Sequence, residues 1–306
     1  MLFGLFFKNT KDFTHFILAI KNNKDILQII RLKNILKLSL LSLSFISIIV
    51  SIPISDLNFN FIRNKNNTEG QYKLVSWNTL FWEQNPSEMF EIIRAQDADV
   101  IHFQEYIIKE DYSDFFIKRD PDQIELVKKA FPEYEIAHEG ELLTLSKFPI
   151  INVKRFEGVT FLRIDVAIDS EIVSFYNVHI PVHIDLRLID DLTDFLMDIR
   201  LRSSVRIHEF NTLAEDIKNN KNKIIISGDF NSTKTMGTMN KLLGYTQDAI
   251  RRSDLFIPTT WSANKTFNLW RIDYVLDNLG NNLKTYTHSF IHDISDHAMM
   301  EVTFDI

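Results

Sequence analysis

Apolar runs of strand length alternate with polar segments and helical patterns from residue 71 onward. The runs that predict strands lie at 72–76, 100–103, 160–168, 171–178, 223–226, 272–276, 285–291 and 298–304. A tight Asp169-Ser170 turn separates 160–168, which alternates apolar and polar residues, from 171–178. This pattern predicts an antiparallel hairpin.

Helix signals lie between these runs. Two start signals, each a capping residue followed by proline, occur at 85–86 and 120–121. Apolar residues also recur at helical spacing over 203–218. Because the helices are interspersed with hairpin-like strand pairs, the chain over 71–306 is predicted to be one α+β domain of mixed sheets covered by helices.

An apolar segment near the N-terminus, residues 38–54, contains no charged residue over 17 positions. That length is at the short end of the roughly 17–25 residues that span a bilayer as a helix. Four basic residues between positions 24 and 37 precede it, and Asp56 follows it. The positive-inside rule therefore predicts a cytoplasmic N-terminus and an exported domain. A cleavable signal peptide fits poorly because about 37 residues precede the run; a buried core helix is the alternative interpretation.

The predicted organisation therefore has four parts. They are a cytoplasmic segment over 1–37, a single transmembrane anchor over 38–54, a polar linker over 55–70, and an extracytoplasmic domain over 71–306. The expected location is a membrane, with the domain in the periplasm or outside the cell.

Charge is divided unevenly between these parts. Residues 1–69 carry nine Lys/Arg against four Asp/Glu, a balance of +5, whereas residues 70–306 carry 25 against 37, a balance of −12. An acidic domain repels polyanions at long range, which weakens the case for a nucleic-acid partner without excluding it. The chain contains no cysteine, so disulfides, thiolate catalysis and cysteine-ligated zinc are excluded.

Six short polar clusters lie at the ends of apolar runs. They are Ser76-Trp77-Asn78, Gln104-Glu105, Asn177-Val178-His179, Ser227-Gly228-Asp229-Phe230-Asn231, Arg271-Ile272-Asp273 and Ser295-Asp296-His297. Together they contain the carboxylates, carboxamides and histidines that metal-assisted phosphoester hydrolysis needs. A charge such as that of Glu105 at the end of an apolar strand is costly unless it is paired or binds a cation.

In this order the six clusters resemble the endonuclease/exonuclease/phosphatase superfamily, the DNase I-like metal-dependent phosphoesterases. The stretch Leu145-Ser146-Lys147-Phe148-Pro149-Ile150 is similar to another segment common in that superfamily. The resemblance covers about 71–306. It implies a four-layer α/β/β/α sandwich of two mixed β-sheets flanked by helices, here preceded by the predicted transmembrane helix.

The resemblance also implies a metal site. Glu105 is expected to be the principal ligand of a Mg²⁺ ion, with Mn²⁺ as an alternative ion, because a hard carboxylate suits these cations. Asn78 and Asp296 are the further expected ligands. Asn78 could instead be a turn-forming asparagine. On an extended backbone Asp296 and His297 would point apart, one to the metal and one to the phosphate.

Catalytic roles follow from the same resemblance. Asp229 would orient and deprotonate the attacking water, and Asn231 would hold the water or a phosphate oxygen. His297, hydrogen-bonded by Asp273, and His179 would neutralise charge on the phosphoryl group. The alternatives are an Asx turn for Asn231 and a structural role for His179. Arg271, beside Asp273, is expected to be a surface ion-pair partner.

The predicted function is Mg²⁺-dependent hydrolysis of a phosphodiester or phosphomonoester outside the cytoplasm. Candidate substrates are small phosphoesters, lipid head groups and nucleic acid, and the membrane is a predicted partner through the N-terminal helix. Two alternatives are an extracytoplasmic nuclease and a non-catalytic phosphoester-binding domain. Asn177-Val178-His179 occupies the place of a tyrosine-bearing strand in AP endonucleases, which argues against abasic-site repair. No protein partner is inferred.

Overall fold

The computed structural model describes residues 33–47, 56–58, 68–82, 86–106, 121–184, 192–263 and 267–306. The chain divides into two compact units, Met1–Ser55 and Asp56–Ile306. In the first unit, residues 33–47 form a helix whose side chains are all exposed. No helix within the described residues is long and apolar enough to cross a membrane. Residues 48–54 of the predicted anchor lie outside them, so the anchor stays a prediction.

The second unit contains fourteen strands and four α-helices among its described residues. The strands are β1 (Tyr72–Asn78), β2 (Val100–Gln104), β3 (Glu135–Glu139), β4 (Leu142–Ser146), β5 (Ile150–Arg155), β6 (Phe161–Ile168), β7 (Glu171–His179), β8 (Lys223–Asp229), β9 (Gln247–Asp248), β10 (Trp261–Ala263), β11 (Phe267–Trp270), β12 (Asp273–Asp277), β13 (Leu283–Phe290) and β14 (Ala298–Phe304). The helices are α1 (Pro86–Ala95), α2 (Pro121–Ala130), α3 (Leu192–Asn219) and α4 (Asn240–Leu243).

The strands form two six-stranded mixed sheets and one separate hairpin. The first sheet has the order β13-β14-β1-β2-β4-β3, and the second has the order β5-β6-β7-β8-β12-β9. Each sheet contains one parallel pair near its centre, β1 with β2 and β7 with β8. The remaining pairs are antiparallel, and β10 pairs with β11 as the separate hairpin.

Apolar side chains pack the elements into four layers. Phe90 of α1 and Val127 of α2 join Trp77 and Phe103 in the cluster on the outer face of the first sheet. A second cluster lies between the sheets, and a third joins Phe210 and its neighbours on α3 to the outer face of the second sheet. The predicted sandwich of two mixed sheets flanked by helices is therefore confirmed.

The predicted strands correspond to observed ones with small shifts at their ends, and the predicted hairpin is the antiparallel pair of β6 and β7. The helix predicted over 203–218 is longer, because α3 begins at Leu192. Its first turns carry the exposed apolar residues Leu196, Met197 and Leu201. Because these apolar residues do not lie on a single face towards the core, the apolar periodicity of the sequence does not predict that the helix begins as early as Leu192.

The segment Asp56–Asn58, within the predicted linker, belongs to the second unit. The Asn58 side-chain amide donates to the carbonyls of Ile250 and Ser253 at 3.1 and 3.0 Å, and Asn58 is buried. Contacts of the domain therefore begin upstream of residue 71.

Candidate active site

Strand topology brings the six polar clusters to one edge of the two sheets. The parallel strands β1 and β2 end together, with Asn78 opposite Gln104, and β7 and β8 end with His179 opposite Asp229. The antiparallel strand β12 begins at this edge, where Asp273 pairs with Asp229. Residues far apart in sequence therefore meet because strand ends of the same polarity lie side by side.

Gly228 makes the close approach of β7 and β8 possible. Its φ is +141°, and a Cβ atom at this position would lie 1.9 Å from the carbonyl oxygen of Val178. No side chain larger than hydrogen fits there without moving the backbone. The glycine therefore places Asp229, the next residue, directly beside the end of β7.

Glu105 follows β2 in a strained conformation and is largely buried. Its φ is +55°, which is uncommon for a non-glycine residue. The side-chain amide of Asn78 donates to Glu105 Oε1 at 3.2 Å, whereas the buried Oε2 has no hydrogen-bond partner in the described part of the chain. Burial, together with the charge of Glu141, raises the pKa of Glu105 to about 7.

Asp229 lies at the centre of the site and is 1% exposed. Its Oδ1 accepts from the Asn231 backbone N–H at 2.7 Å, and its Oδ2 accepts from the side-chain amides of Asn231 and Asn78 at 3.1 and 3.2 Å. Burial and the neighbouring Asp273 carboxylate raise the pKa of Asp229 to about 6. These contacts fix the orientation of a carboxylate that is close to titration at neutral pH.

His297 forms a pair with Asp273. Its Nδ1 lies 3.0 Å from Asp273 Oδ2, and its Nε2 lies 3.8 Å from Asp229 Oδ2. Burial lowers the pKa of His297, but the carboxylates of Asp273 and Asp229 outweigh it and raise the pKa to about 10. The imidazole is therefore held as a cation with Nε2 towards Asp229.

His179 forms a second pair, with a residue that sequence reasoning did not single out. Its Nδ1 lies 2.7 Å from Oε1 of Glu141, in the turn between β3 and β4. Its Nε2 lies 3.5 Å from Glu105 Oε1 and 3.7 Å from Asp229 Oδ2. Burial lowers the pKa of His179, but Glu141, then Glu105 and Asp229, raise it to about 10. Glu141 lies in no strand-end cluster; only the pairing of β3 with β4 and of β4 with β2 brings it here.

Asp296 borders the site at a bend before β14. Trp261 Nε1 donates to its Oδ2 at 3.0 Å, while the buried Oδ1 has no hydrogen-bond partner among the described residues. That Oδ1 lies 4.0 Å from His297 Nε2, so the two side chains do not point apart as predicted. The reason is the bend, in which the backbone N–H of His297 donates to Ser295 Oγ.

The donor atoms fit a hard divalent cation. Glu105 Oε2 and Asp296 Oδ1 are buried carboxylate oxygens to which no described residue donates a hydrogen bond, an arrangement that is costly unless a cation binds them. Asp229, Asp273 and His297 also offer ligand atoms within 4.8 Å of one another. Asn78 Oδ1 accepts from the Leu80 backbone N–H at 3.2 Å, as in the alternative of a turn-forming asparagine, and its role as a ligand stays a prediction.

Other residues of the six clusters lie beneath the site and join the sheets. Gln104 donates to Asn177 Oδ1 at 2.6 Å, and Asn177 donates to the carbonyl oxygens of Phe103 and Leu143, both at 3.0 Å. The prediction of Arg271 as a surface residue is wrong. It is 2% exposed, because its guanidinium forms two hydrogen bonds with the carboxylate of Asp248, at 2.7 and 2.6 Å.

Comparison with known proteins agrees with this geometry. The model of the endonuclease/exonuclease/phosphatase family matches residues 75–297. Similar solved structures include a 3′ phosphatase from Neisseria bound to a product DNA hairpin (14% identity, TM-score 0.59), an AP endonuclease from Archaeoglobus fulgidus (12%, 0.56) and an endonuclease/exonuclease/phosphatase family protein from Leptotrichia buccalis (15%, 0.52).

Each of these alignments covers 77% of this chain and 100% of the other, and at these identities the likeness shows the fold. No curated protein sequence gives a significant match. The family match spans well over half of the chain and includes all six polar clusters, from Ser76 to His297. The chain therefore belongs to the endonuclease/exonuclease/phosphatase family of hydrolytic phosphoesterases.

Proposed function

We propose that this protein is a Mg²⁺-dependent phosphoesterase that hydrolyses a phosphodiester or phosphomonoester by in-line attack of water. The observation that carries the proposal is the arrangement around Asp229. Two carboxylate–histidine pairs, Asp273–His297 and Glu141–His179, direct their Nε2 atoms towards it. Glu105 lies beside it, with a buried Oε2 that accepts no hydrogen bond from the described part of the chain.

Glu105 would hold the ion, with Asp296 and Asn78 as the further proposed ligands. When bound, a divalent cation supplies positive charge to the phosphoryl oxygens and the leaving group. Glu105 adopts its left-handed backbone conformation at a cost of about 1–3 kcal/mol, which is typical of residues held in place for function. Glu105 Oε2, which has no hydrogen-bond partner among the residues that the structure describes, is the atom proposed to bind the ion.

Asp229 is the proposed general base. Its pKa of about 6 lies near neutral pH, where a carboxylate is both ionised and basic enough to accept a proton from water. Asn231 donates to both carboxylate oxygens of Asp229, through its backbone N–H and its side-chain amide, and so sets the direction of the free lone pairs. Its proposed role includes contact with the water or a phosphate oxygen.

His297 and His179 are the proposed donors to the phosphoryl oxygens. Each is kept protonated by the carboxylate at its Nδ1, which leaves Nε2–H to donate. Charge that develops on the phosphoryl group is stabilised by such preorganised donors. Protonation of the leaving oxygen by His179 completes the proposed reaction without a covalent intermediate.

The substrate is proposed to be a small or membrane-borne phosphoester outside the cytoplasm. The domain balance of −12 and the apolar segment 38–54 with its flanking charges support this proposal. A nuclease is the second candidate, favoured by the similarity in fold to a 3′ phosphatase bound to a DNA hairpin. No protein partner is proposed.

A substrate panel tests the proposed function. Purified full-length protein in detergent would be assayed on bis(4-nitrophenyl) phosphate, 4-nitrophenyl phosphate, sphingomyelin vesicles and plasmid DNA, with Mg²⁺, Mn²⁺ or EDTA. We expect hydrolysis of at least one substrate with metal, loss in EDTA, and loss in Asp229→Asn. Full activity in EDTA or in Asp229→Asn would contradict the mechanism, and binding without turnover would favour the non-catalytic alternative.

A further inference from the structure

A single turn of α3 contacts both strand ends that carry the central groups of the site. Arg206 and Glu209 are three residues apart, so they lie on the same face of the helix, and they are 3% and 1% exposed. Two buried charged side chains on a helix are costly unless their hydrogen bonds are satisfied. Their partners therefore indicate what the two residues do.

Arg206 contacts the loops that follow β7 and β8. Its guanidinium donates to the backbone carbonyls of Pro181 and Asn231, the latter at 3.0 Å, and to Ser232 Oγ. Asn231 has a φ of +44°, a left-handed conformation that its own side-chain bonds to Asp229 and Ile180 also support. The planar guanidinium of Arg206 thus joins the loop after β7 to the loop after β8. It positions Asn231 through these loops and not through a hydrogen bond to Asp229.

Glu209 contacts Thr160, the residue before β6, which lies beside the end of β7. Its carboxylate accepts from the backbone N–H of Thr160 at 3.1 Å and lies 2.8 Å from the Thr160 hydroxyl. The Thr160 hydroxyl in turn bonds the carbonyl oxygen of His179, and the His179 N–H donates to the Thr160 carbonyl at 2.9 Å. Glu209 therefore holds the backbone at the end of β7, through Thr160.

We propose that Arg206 and Glu209 are positioning residues, which set the geometry of Asn231 and His179 relative to Asp229 from the outer layer of the fold. This inference rests on the proposed phosphoesterase function for its rate effects. Within the described residues, neither side chain hydrogen-bonds Glu105, Asp273 or His297. Arg206 acts through backbone carbonyls of the loops after β7 and β8, and Glu209 acts through Thr160. Misplacement of reacting groups by about 1 Å costs on the order of 10²-fold in rate.

The test compares variants of the full-length protein on its best substrate. Arg206→Met, and Arg206→Lys, which keeps the charge without the fork, should lower kcat on the order of 10²-fold with KM changed much less. Glu209→Gln should retain most of the rate, because a carboxamide can accept from the Thr160 N–H and donate to its hydroxyl, whereas Glu209→Leu should lose it.

Asp216→Asn is the matched control. Asp216 is also buried on α3, ten residues after Arg206, where it accepts from Tyr176 Oη at 2.6 Å, from Arg163 at 3.1 Å and from Lys154. It should lower the thermal stability without a comparable fall in kcat. Equal falls in kcat for Asp216→Asn and Arg206→Lys, or an unchanged kcat in both Arg206 variants, would overturn the proposal.

Hydrogen exchange separates this inference from the proposed function. In Arg206→Lys the backbone amides of Ile180 and Asn231, which donate to Asp229, should exchange faster than in the wild type and in Asp216→Asn. If no substrate is hydrolysed but this exchange increases, the proposed function fails and the positioning role stands. If exchange at these amides is unchanged, the positioning role is wrong whatever the activity.

Discussion

At the scale of single residues, the site concentrates negative charge where water is scarce. Glu105 and Asp229 are both buried, and burial raises the pKa of each, to about 7 and about 6. The protonated His179 and His297 offset part of this charge, yet one oxygen of Glu105 receives no hydrogen bond from any described residue. Such an arrangement destabilises the folded protein without metal and favours the binding of a cation.

Glu105→Gln should therefore stabilise the metal-free protein at alkaline pH. The folded-state pKa of Glu105 is raised, so its destabilising effect is absent below the unfolded pKa near 4.5 and complete above about 7. In EDTA the variant should be more stable by about 1–3 kcal/mol at pH 8 and little changed at pH 4. Thermal unfolding checks this, with the exposed Glu91→Gln as control. Lower stability of Glu105→Gln at pH 8 would show that its carboxylate is satisfied without metal.

Asp273→Asn should weaken the proposed role of His297. Although burial lowers the pKa of His297, the Asp273 and Asp229 carboxylates raise it to about 10, so losing the first lowers it. If the reaction needs the imidazolium, the fall of kcat/KM on the alkaline side should begin at a lower pH than in the wild type. We also expect kcat to be reduced roughly 10²–10⁴-fold. Asp293→Asn, an exposed change nearby, serves as control. An unchanged alkaline limb would contradict the role of this pair.

At the scale of elements, the two parallel strand pairs bring the site together, and Gly228 sets the contact between β7 and β8. Gly228→Ala should destabilise the protein by about 2–4 kcal/mol, because the new methyl group meets the Val178 carbonyl. Gly158→Ala is the control: its φ is also positive, at +71°, but no atom of the described residues lies within 4 Å of the added Cβ. Urea unfolding compares the two, and equal losses would mean that the close approach does not matter.

The sequence predicts the helices and strands better than it predicts which residues of different elements come into contact. Apolar runs followed by polar residues identify the ends of β1, β2, β7 and β8, because a buried strand must be apolar until it reaches the edge. Glu141 could not be found in this way, since it follows a glycine in an ordinary turn and reaches His179 only through the pairing of strands. Arg206 was missed because a charged residue on a helix normally faces solvent.

At the scale of the whole molecule, charge and hydropathy divide the chain. The N-terminal 69 residues carry +5 and the remainder −12, and the uncharged segment 38–54 lies within the first part. The four basic residues between positions 24 and 37, before the segment, support the proposed orientation, in which the domain is exported. The charge of −12 on the remainder favours repulsion of long polyanions, and a bound divalent cation would remove only part of that charge, at the site.

The orientation predicts the behaviour of a reporter fusion. Alkaline phosphatase joined after residue 60 should be active in a bacterial host, because the enzyme matures only after export. A fusion after residue 30, before the apolar segment, should be inactive and is the matched control. An inactive fusion after residue 60, with the protein intact on a blot, would place the domain in the cytoplasm instead.

The most direct test of the central claim is the Mg²⁺ dependence of phosphoester hydrolysis by the wild type and Glu105→Gln. The rate would be measured on the best substrate of the panel across a Mg²⁺ titration, with Glu91→Gln as the control. We predict a saturable rise in rate for the wild type and the control, and a loss of at least about 10²-fold with weakened Mg²⁺ dependence in Glu105→Gln. The same rate and the same Mg²⁺ dependence in all three proteins would contradict the assignment of Glu105 as the metal ligand.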